Sequence, residues 1–261
     1  MAEPTCEGVA ARSVRARRRI RDRIVRTPLL PALAVSGETG SQVLFKAENF
    51  QRTGSFKIRG ALSKLSSPET AAEANRTFVT ASSGNHGIAS SQAAALLDVP
   101  LRVVLPEVAP AIKVERIRSF GIEVVLHGPE TGAAERFARE QAGAEGDVYI
   151  SPYNDVDVMA GQGTIGLELL DQADSIDNVF VAMGGGGLIG GIGSVLKSFG
   201  SPARIWGVSA KQSAALDASL RAGRIVEVSH GETFAEAVAG GVDADSVTFP
   251  IAREAIDECV V

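Results

Sequence analysis

The stretch "VFVAMGGGGLIGGIG" (residues 179–193) decides the fold. Its first residues read as a short buried strand, four glycines follow, and the apolar residues then resume at helical spacing. Gly184, Gly185, Gly186 and Gly187 leave no Cβ in the way of converging backbone N–H groups, at the positive end of the helix they open. This is a cradle for an anion, phosphate before others. Gly185, Gly187 and Gly190 also satisfy G-x-G-x-x-G, but a dinucleotide site needs an acid about 20 residues on, for the ribose hydroxyl. The next strand runs out through Val208-Ser209-Ala210, so that acid is missing. No Gly-Lys-Ser/Thr occurs, which excludes a P-loop. A purely structural turn remains the bland alternative.

Strand–turn–helix units of the same kind repeat upstream. "RTFVTASSGNHGIASSQAAALLDV" (76–99) reads as strand, turn and helix; "PLRVVLPEVAP" as a strand; "AIKVERIRSFG" as a helix ending at Gly121; "IEVVLHG" as a strand; "TGAAERFAREQAG" as a helix. That alternation predicts parallel sheets with helical crossovers. "SQVLFKAENF" (41–50) reads as a strand and "SFKIRGALSKL" (55–65) as a helix capped by Ser55. "MAGQGTIGLELLDQA" reads as a helix, "RIWGVSA" as a strand, and Cys259 to Val261 as the start of another. The pattern divides into two α/β lobes: a small one over 77–151, and a large one made of 1–76 and 152–261. A ligand belongs in the cleft between them.

With 45% hydrophobic and 22% charged residues in 261, the composition is that of a soluble globular protein. No apolar run approaches a membrane span, and Cys6 and Cys259, at opposite ends, do not make a disulfide framework. With no apolar segment beside the basic start, the expectation is a cytoplasmic protein. The net charge of −5 is uneven: residues 1–26 hold eight arginines against Glu3, Glu7 and Asp22, a local +5 that leaves −10 for the rest. A nucleic-acid arm is the sharp reading. A surface helix docking Val14, Ile20, Ile24 and Val25 and keeping its arginines wet is the preferred one, since no basic patch follows downstream.

Two further features carry chemistry. In "TASSGNHGIA" (80–89), Ser82, Ser83, Asn85 and His86 place hydrogen-bond donors at a helix N-terminus, suited to a carboxylate or, blandly, to capping. His86, His127 and His230 are scattered, so no metal spacing exists. Lys57, between Phe56 and Ile58, is by ordinary frequency a snorkelling surface lysine; the functional reading is a desolvated amine that forms a Schiff base. An amine nucleophile and a phosphate cradle together imply one cofactor bearing an aldehyde and a phosphate, which describes pyridoxal 5′-phosphate.

"KAENFQRTGSFKIRGA", "SSGNHG", "AGQGTIGLELL" and "GGGGLIGG", in this order, resemble the threonine dehydratase and serine racemase group of fold-type II (tryptophan synthase beta-like) pyridoxal-phosphate enzymes. The resemblance implies two α/β domains with the cofactor in the cleft. It implies that Lys57 carries the Schiff base, that Phe56 lies beside the cofactor ring, and that Asn85 bonds its 3′-oxygen. Gly184, Gly185, Gly186, Gly187 and Leu188 would hold the phosphate, and Ser82, Ser83, Gly84 and His86 the substrate carboxylate. Ser83 also matches the second acid/base of the racemases. The implied reaction is loss of ammonia from a β-hydroxy amino acid such as L-threonine or L-serine, giving a 2-keto acid. Racemisation, or a lyase reaction of the hydroxyectoine branch whose "GVS" this chain shares, is the nearest rival. A truncated, non-catalytic protein of the same fold is the rival of another class.

The implied partner is a small amino acid, with neither nucleic acid nor membrane, in a cytoplasmic homodimer. Ser209 and Ala215 stand where racemase-like members place acids around a divalent cation, so no metal is expected. Family members continue beyond the point matching Val261, and a Ser, Thr or Cys there touches the pyridine nitrogen, so the expectation is a large domain lacking its C-terminal part.

Overall fold

A computed structural model describes residues 3–72 and 76–261. Helix α1 (Cys6–Ile20) begins at Thr5, whose hydroxyl accepts the N–H of Gly8. It buries Val9, Ala16 and Ile20, and Ile24 beyond its end joins the core. Val25, expected to dock, is 36% exposed, because the helix has already ended and the chain turns away toward Thr27. Strand β1 (Leu29–Pro31) pairs antiparallel with β2 (Leu44–Lys46) across the short helix α2 (Leu33–Thr39). The strand expected over 41–50 is thus only three residues long. A 3-10 turn over Glu48–Phe50 replaces its end and aims Glu48 at Arg59.

Helix α3 (Lys57–Leu65) starts two residues after Ser55, with Phe56 at its cap position. Ser55 therefore does not cap it: the Thr53-Gly54 turn, with Gly54 at φ +78°, places the hydroxyl in the interior, where it has no partner among the described residues. After α4 (Pro68–Ala71) comes a fully parallel sheet of order β5-β4-β3-β6. It comprises β3 (Phe78–Ala81), β4 (Leu101–Leu105), β5 (Glu123–Leu126) and β6 (Val148–Tyr149). The crossovers are α5 (Asn85–Leu97), α6 (Ala111–Arg118) and α7 (Thr131–Glu145). A second parallel sheet, of order β7-β8-β9, holds β7 (Asn178–Ala182), β8 (Arg204–Val208) and β9 (Glu258–Val260), the last being the strand expected at Cys259.

Between the sheets run α8 (Val156–Gln172) and α9 (Gly187–Ser198), followed by α10 (Ala215–Ala222) and α11 (Thr248–Ala255). Glycines set the spacing of the central helices. A Cβ on Gly161 would lie 2.3 Å from the Arg59 carbonyl, one on Gly163 2.2 Å from Ser13 Oγ, and one on Gly191 2.3 Å from the Met159 carbonyl. The "AGQG" segment thus lets backbones of α3, α8 and α9 touch, and the Ser13 side chain of α1 seat against Gly163, where a further side chain would overpack.

Beneath α3 lies a buried ion cluster. The guanidinium of Arg59 donates in bidentate fashion to Glu48 (2.8 and 2.8 Å) and to Glu168 (2.6 and 3.0 Å), and also to Thr164 Oγ1 at 3.1 Å. Lys46 adds bonds to Glu168 (2.5 Å), the Thr27 carbonyl (2.7 Å) and Gln172 (2.9 Å). Two cations face two carboxylates, so the burial is compensated. No helix among the described residues is long and apolar enough to cross a membrane.

Candidate active site

Three segments leave the C-terminal ends of parallel strands, where α/β folds form their ligand crevices, while Lys57 comes in on α3 after the antiparallel β2. β3 leads to Ser82–His86, β6 to Ile150–Asn154, and β7 to Met183–Gly187. The glycine run opens α9 with Gly186 at its cap in the left-handed region, φ +90°. Among the described residues no acceptor takes the N–H of Gly184, Gly185, Gly186, Gly187 or Leu188, although Gly186 and Gly187 are buried. Five consecutive free donors at a helix N-terminus form a bed for an oxyanion.

The absent Cβ atoms have a second reason that sequence did not reveal. On Gly185 a Cβ would lie 2.5 Å from the Tyr153 ring, on Gly187 3.0 Å from Tyr153 Cβ, and on Gly184 2.9 Å from the Val238 carbonyl. Protein packs the outer side of the bed, and Thr248 Oγ1 donates to the Gly185 carbonyl at 2.6 Å.

Lys57 occupies the first turn of α3, and its amine donates to the Pro152 carbonyl at 2.8 Å and lies 5.2 Å from the Phe56 ring centroid. The residue is partly exposed, but the amine itself is enclosed, and desolvation pushes its pKa down to about 8. The bland surface-lysine reading therefore fails: the amine is directed inward.

At the second turn, Gly84 precedes α5, and its N–H donates to Ser82 Oγ at 3.2 Å. The N–H groups of Asn85, His86 and Gly87 have no acceptor among the described residues. Ser82, Ser83 and Gly84 are half-buried and Asn85 is exposed. A Cβ on Gly87 would fall 1.8 Å from the Ser82 carbonyl, so this sharp turn admits only glycine there. The His86 ring is directed away from the turn, with Nε2 3.0 Å from Thr80 Oγ1 and 3.4 Å from the Ile150 carbonyl. Burial first, and the charge of Lys57 second, push its pKa down to about 3, so the ring is neutral. The backbone N–H of His86, by contrast, stays at the turn with no acceptor among the described residues.

The segment Ile150–Asn154, missed in the sequence, ties these parts together. The Ile150 carbonyl lies beside His86, the Pro152 carbonyl holds Lys57, and Tyr153 packs on Gly185 and Gly187. Its one sequence signal is its place at a strand exit just before "AGQG". Among the described residues no three His, Cys, Asp or Glu gather as a metal site.

The residues fit an aldehyde-bearing phosphate ester: free N–H donors for the phosphate, and a desolvated amine for the aldehyde. The family model described as pyridoxal-phosphate dependent enzyme matches residues 20–261. The L-threonine ammonia-lyase of Geobacter sulfurreducens is 42% identical over 249 residues, covering 93% of this chain and 60% of that protein. Serine racemase of Oryza sativa subsp. indica is 32% identical, covering 94% and 72%. Among solved structures, the processed form of threonine deaminase isoform 2 from Solanum lycopersicum superposes with a TM-score of 0.91 at 34% identity, covering 98% of this chain and 69% of that one. The chain thus spans less than two thirds of the Geobacter relative. Its architecture is the fold-type II arrangement the motifs implied. The enclosed lysine and the bed of free N–H groups take their meaning from this kinship: the chain belongs to the pyridoxal-phosphate dependent enzymes.

Proposed function

We propose that this chain carries the active site of an ammonia-lyase that converts a small β-hydroxy amino acid, L-threonine or L-serine, to a 2-keto acid and ammonia. The observation that carries the reading is the Lys57 amine, enclosed, held by a carbonyl and facing no carboxylate. When bound, pyridoxal phosphate supplies an aldehyde and an electron sink for charge developing at the substrate Cα. Gly184 to Leu188 would hold the phosphate through their N–H groups, Phe56 would flank the ring, and Asn85 would bond its 3′-oxygen. Lys57, substantially neutral near pH 8, takes the Cα proton as general base. Ser82, Ser83 and Gly84, with the backbone N–H of His86, hold the substrate carboxylate. In this reading residues 77–151 form the small domain, the rest the large one, and two copies form a cytoplasmic dimer.

Racemisation is the second reading, favoured by the half-buried Ser83, whose hydroxyl makes no bond to another described residue and is therefore available to move a proton. One experiment tests both. Protein supplied with pyridoxal phosphate is incubated with L-threonine and L-serine, and keto acid and D-amino acid are measured. Keto acid as the main product supports the lyase, D-serine as the main product replaces it with the racemase, and neither product removes the activity from this chain.

A further inference from the structure

From Arg224 to Val247 the chain holds a single 3-10 turn, Glu236–Val238, as its regular structure. Irregular segments longer than about 12–15 residues are uncommon in compact domains and usually functional. Both feet of the arch between Val238 and Thr248 rest on the phosphate bed. Val238 lies against Gly184, while Thr248 bonds the Gly185 carbonyl and packs on Gly186. The apex is Asp243. Its carboxylate accepts Arg139 Nη2 of α7 at 3.1 Å and Asn154 Nδ2 at 3.0 Å, and its N–H donates to Tyr153 Oη at 3.0 Å. Asn154 Oδ1 also accepts the Val247 N–H at 2.7 Å. Two of the residues that grip the arch, Tyr153 and Asn154, thus follow directly on the Pro152 carbonyl that holds Lys57, and Tyr153 packs on Gly185 and Gly187.

We propose that Asp243 is a positioning residue, a clasp that presses the 238–248 arch onto the glycine bed and ties it to α7, so that the bed is held in register for phosphate. Nothing in the arch reaches Lys57 directly; the clasp acts on the phosphate end of the ligand rather than the aldehyde end. This rests on the cofactor reading above, and the two are separable by experiment.

Cofactor-free protein and the variant Asp243→Ala are titrated with pyridoxal 5′-phosphate and with pyridoxal, which lacks the phosphate. Hydrogen exchange is followed in parallel at 184–188 and 238–248. The expected result is a roughly tenfold or greater weakening for pyridoxal phosphate, the scale of a charge-assisted contact. Pyridoxal should stay within about twofold, and both segments should exchange faster before any cofactor is added. Equal weakening of both ligands, or wild-type affinity and exchange in the folded variant, overturns the clasp. If the wild-type chain binds neither ligand, the cofactor reading falls, and exchange alone decides whether Asp243 holds the arch. Should Asp243→Ala not fold, Asp243→Asn keeps an acceptor oxygen and loses the charge. A smaller shift in the same direction upholds the clasp, and no shift overturns it.

Discussion

Lys57 and Arg59 stand two residues apart in the first turn of α3, both turned away from water, and they are treated in opposite ways. Arg59 is fully buried but meets Glu48 and Glu168 through paired bonds, which outweigh desolvation and raise its pKa above the ordinary value. Lys57 meets one carbonyl and no carboxylate, and desolvation alone lowers its pKa to about 8. The same physical act, burial, makes a permanent cation in one case and a half-neutral nucleophile in the other. What differs is the partner. The arginine anchors the helix that presents the lysine, so the compensated charge keeps the uncompensated one in place.

The largest effect tests the lysine's side of this contrast. Lys57→Ala should abolish the visible absorbance that pyridoxal phosphate gives on attachment to the protein, while fluorescence titration still detects weaker, non-covalent binding in the glycine bed. Loss of both would place the phosphate bed elsewhere. Next comes the arginine: Arg59→Ala leaves half-buried Glu48 with no paired cation among the described residues and buried Glu168 with Lys46 alone, and should destabilise the chain by about 3 kcal/mol in urea unfolding. A loss under about 1 kcal/mol would mean that water reaches the cluster and that the contrast with Lys57 is one of exposure instead. Gly185→Ala ranks third. Its methyl group must displace the Tyr153 ring, with an expected cost of about 1–3 kcal/mol and weaker phosphate binding; unchanged binding would make Tyr153 a free-moving neighbour.

The smallest effect is in pH. The unfolded lysine titrates near its ordinary 10.5 and the folded one near 8, so between these values the unfolded chain binds more protons. Lys57 therefore destabilises the cofactor-free protein fully below about pH 8, and this penalty fades as pH rises toward 10.5. Lys57→Met should stabilise the cofactor-free protein at neutral pH and flatten this dependence in thermal unfolding. Identical pH profiles for variant and wild type would show the amine to be solvated.

Much of this was legible in the chain. Short Val-rich runs ending in glycine or serine turns announced parallel strands, and the glycine run announced a turn of open backbone N–H groups at a helix start, because both are local signals of backbone geometry. Ser55 misled because capping depends on which residue begins the helix, and the Thr53-Gly54 turn delays that start to Lys57. The direction of the His86 ring was not legible, because a ring at a helix N-terminus can turn inward, here to Thr80. Tyr153, Asn154 and Asp243 were silent because their meaning lies in partners about 30 to 100 positions away, with no repeating spacing to betray them. The Arg59 cluster was hidden in part for the same reason: Glu168 is 109 positions away, and Glu48, 11 positions away, is brought in by an irregular turn.

The backbone contacts at Gly161 and Gly191 have a consequence for how this sequence can change over generations. Large side chains in a core can be exchanged for others of similar volume, and neighbours adjust. Where helix meets helix with no side chain between them there is nothing to trade, and a lineage that loses one of these glycines has no single compensating substitution to find. A saturation library selected for folded protein should therefore tolerate aliphatic exchanges at Ile165 or Val195 while returning glycine almost alone at these two positions, making them slow-changing sites for a reason separate from catalysis.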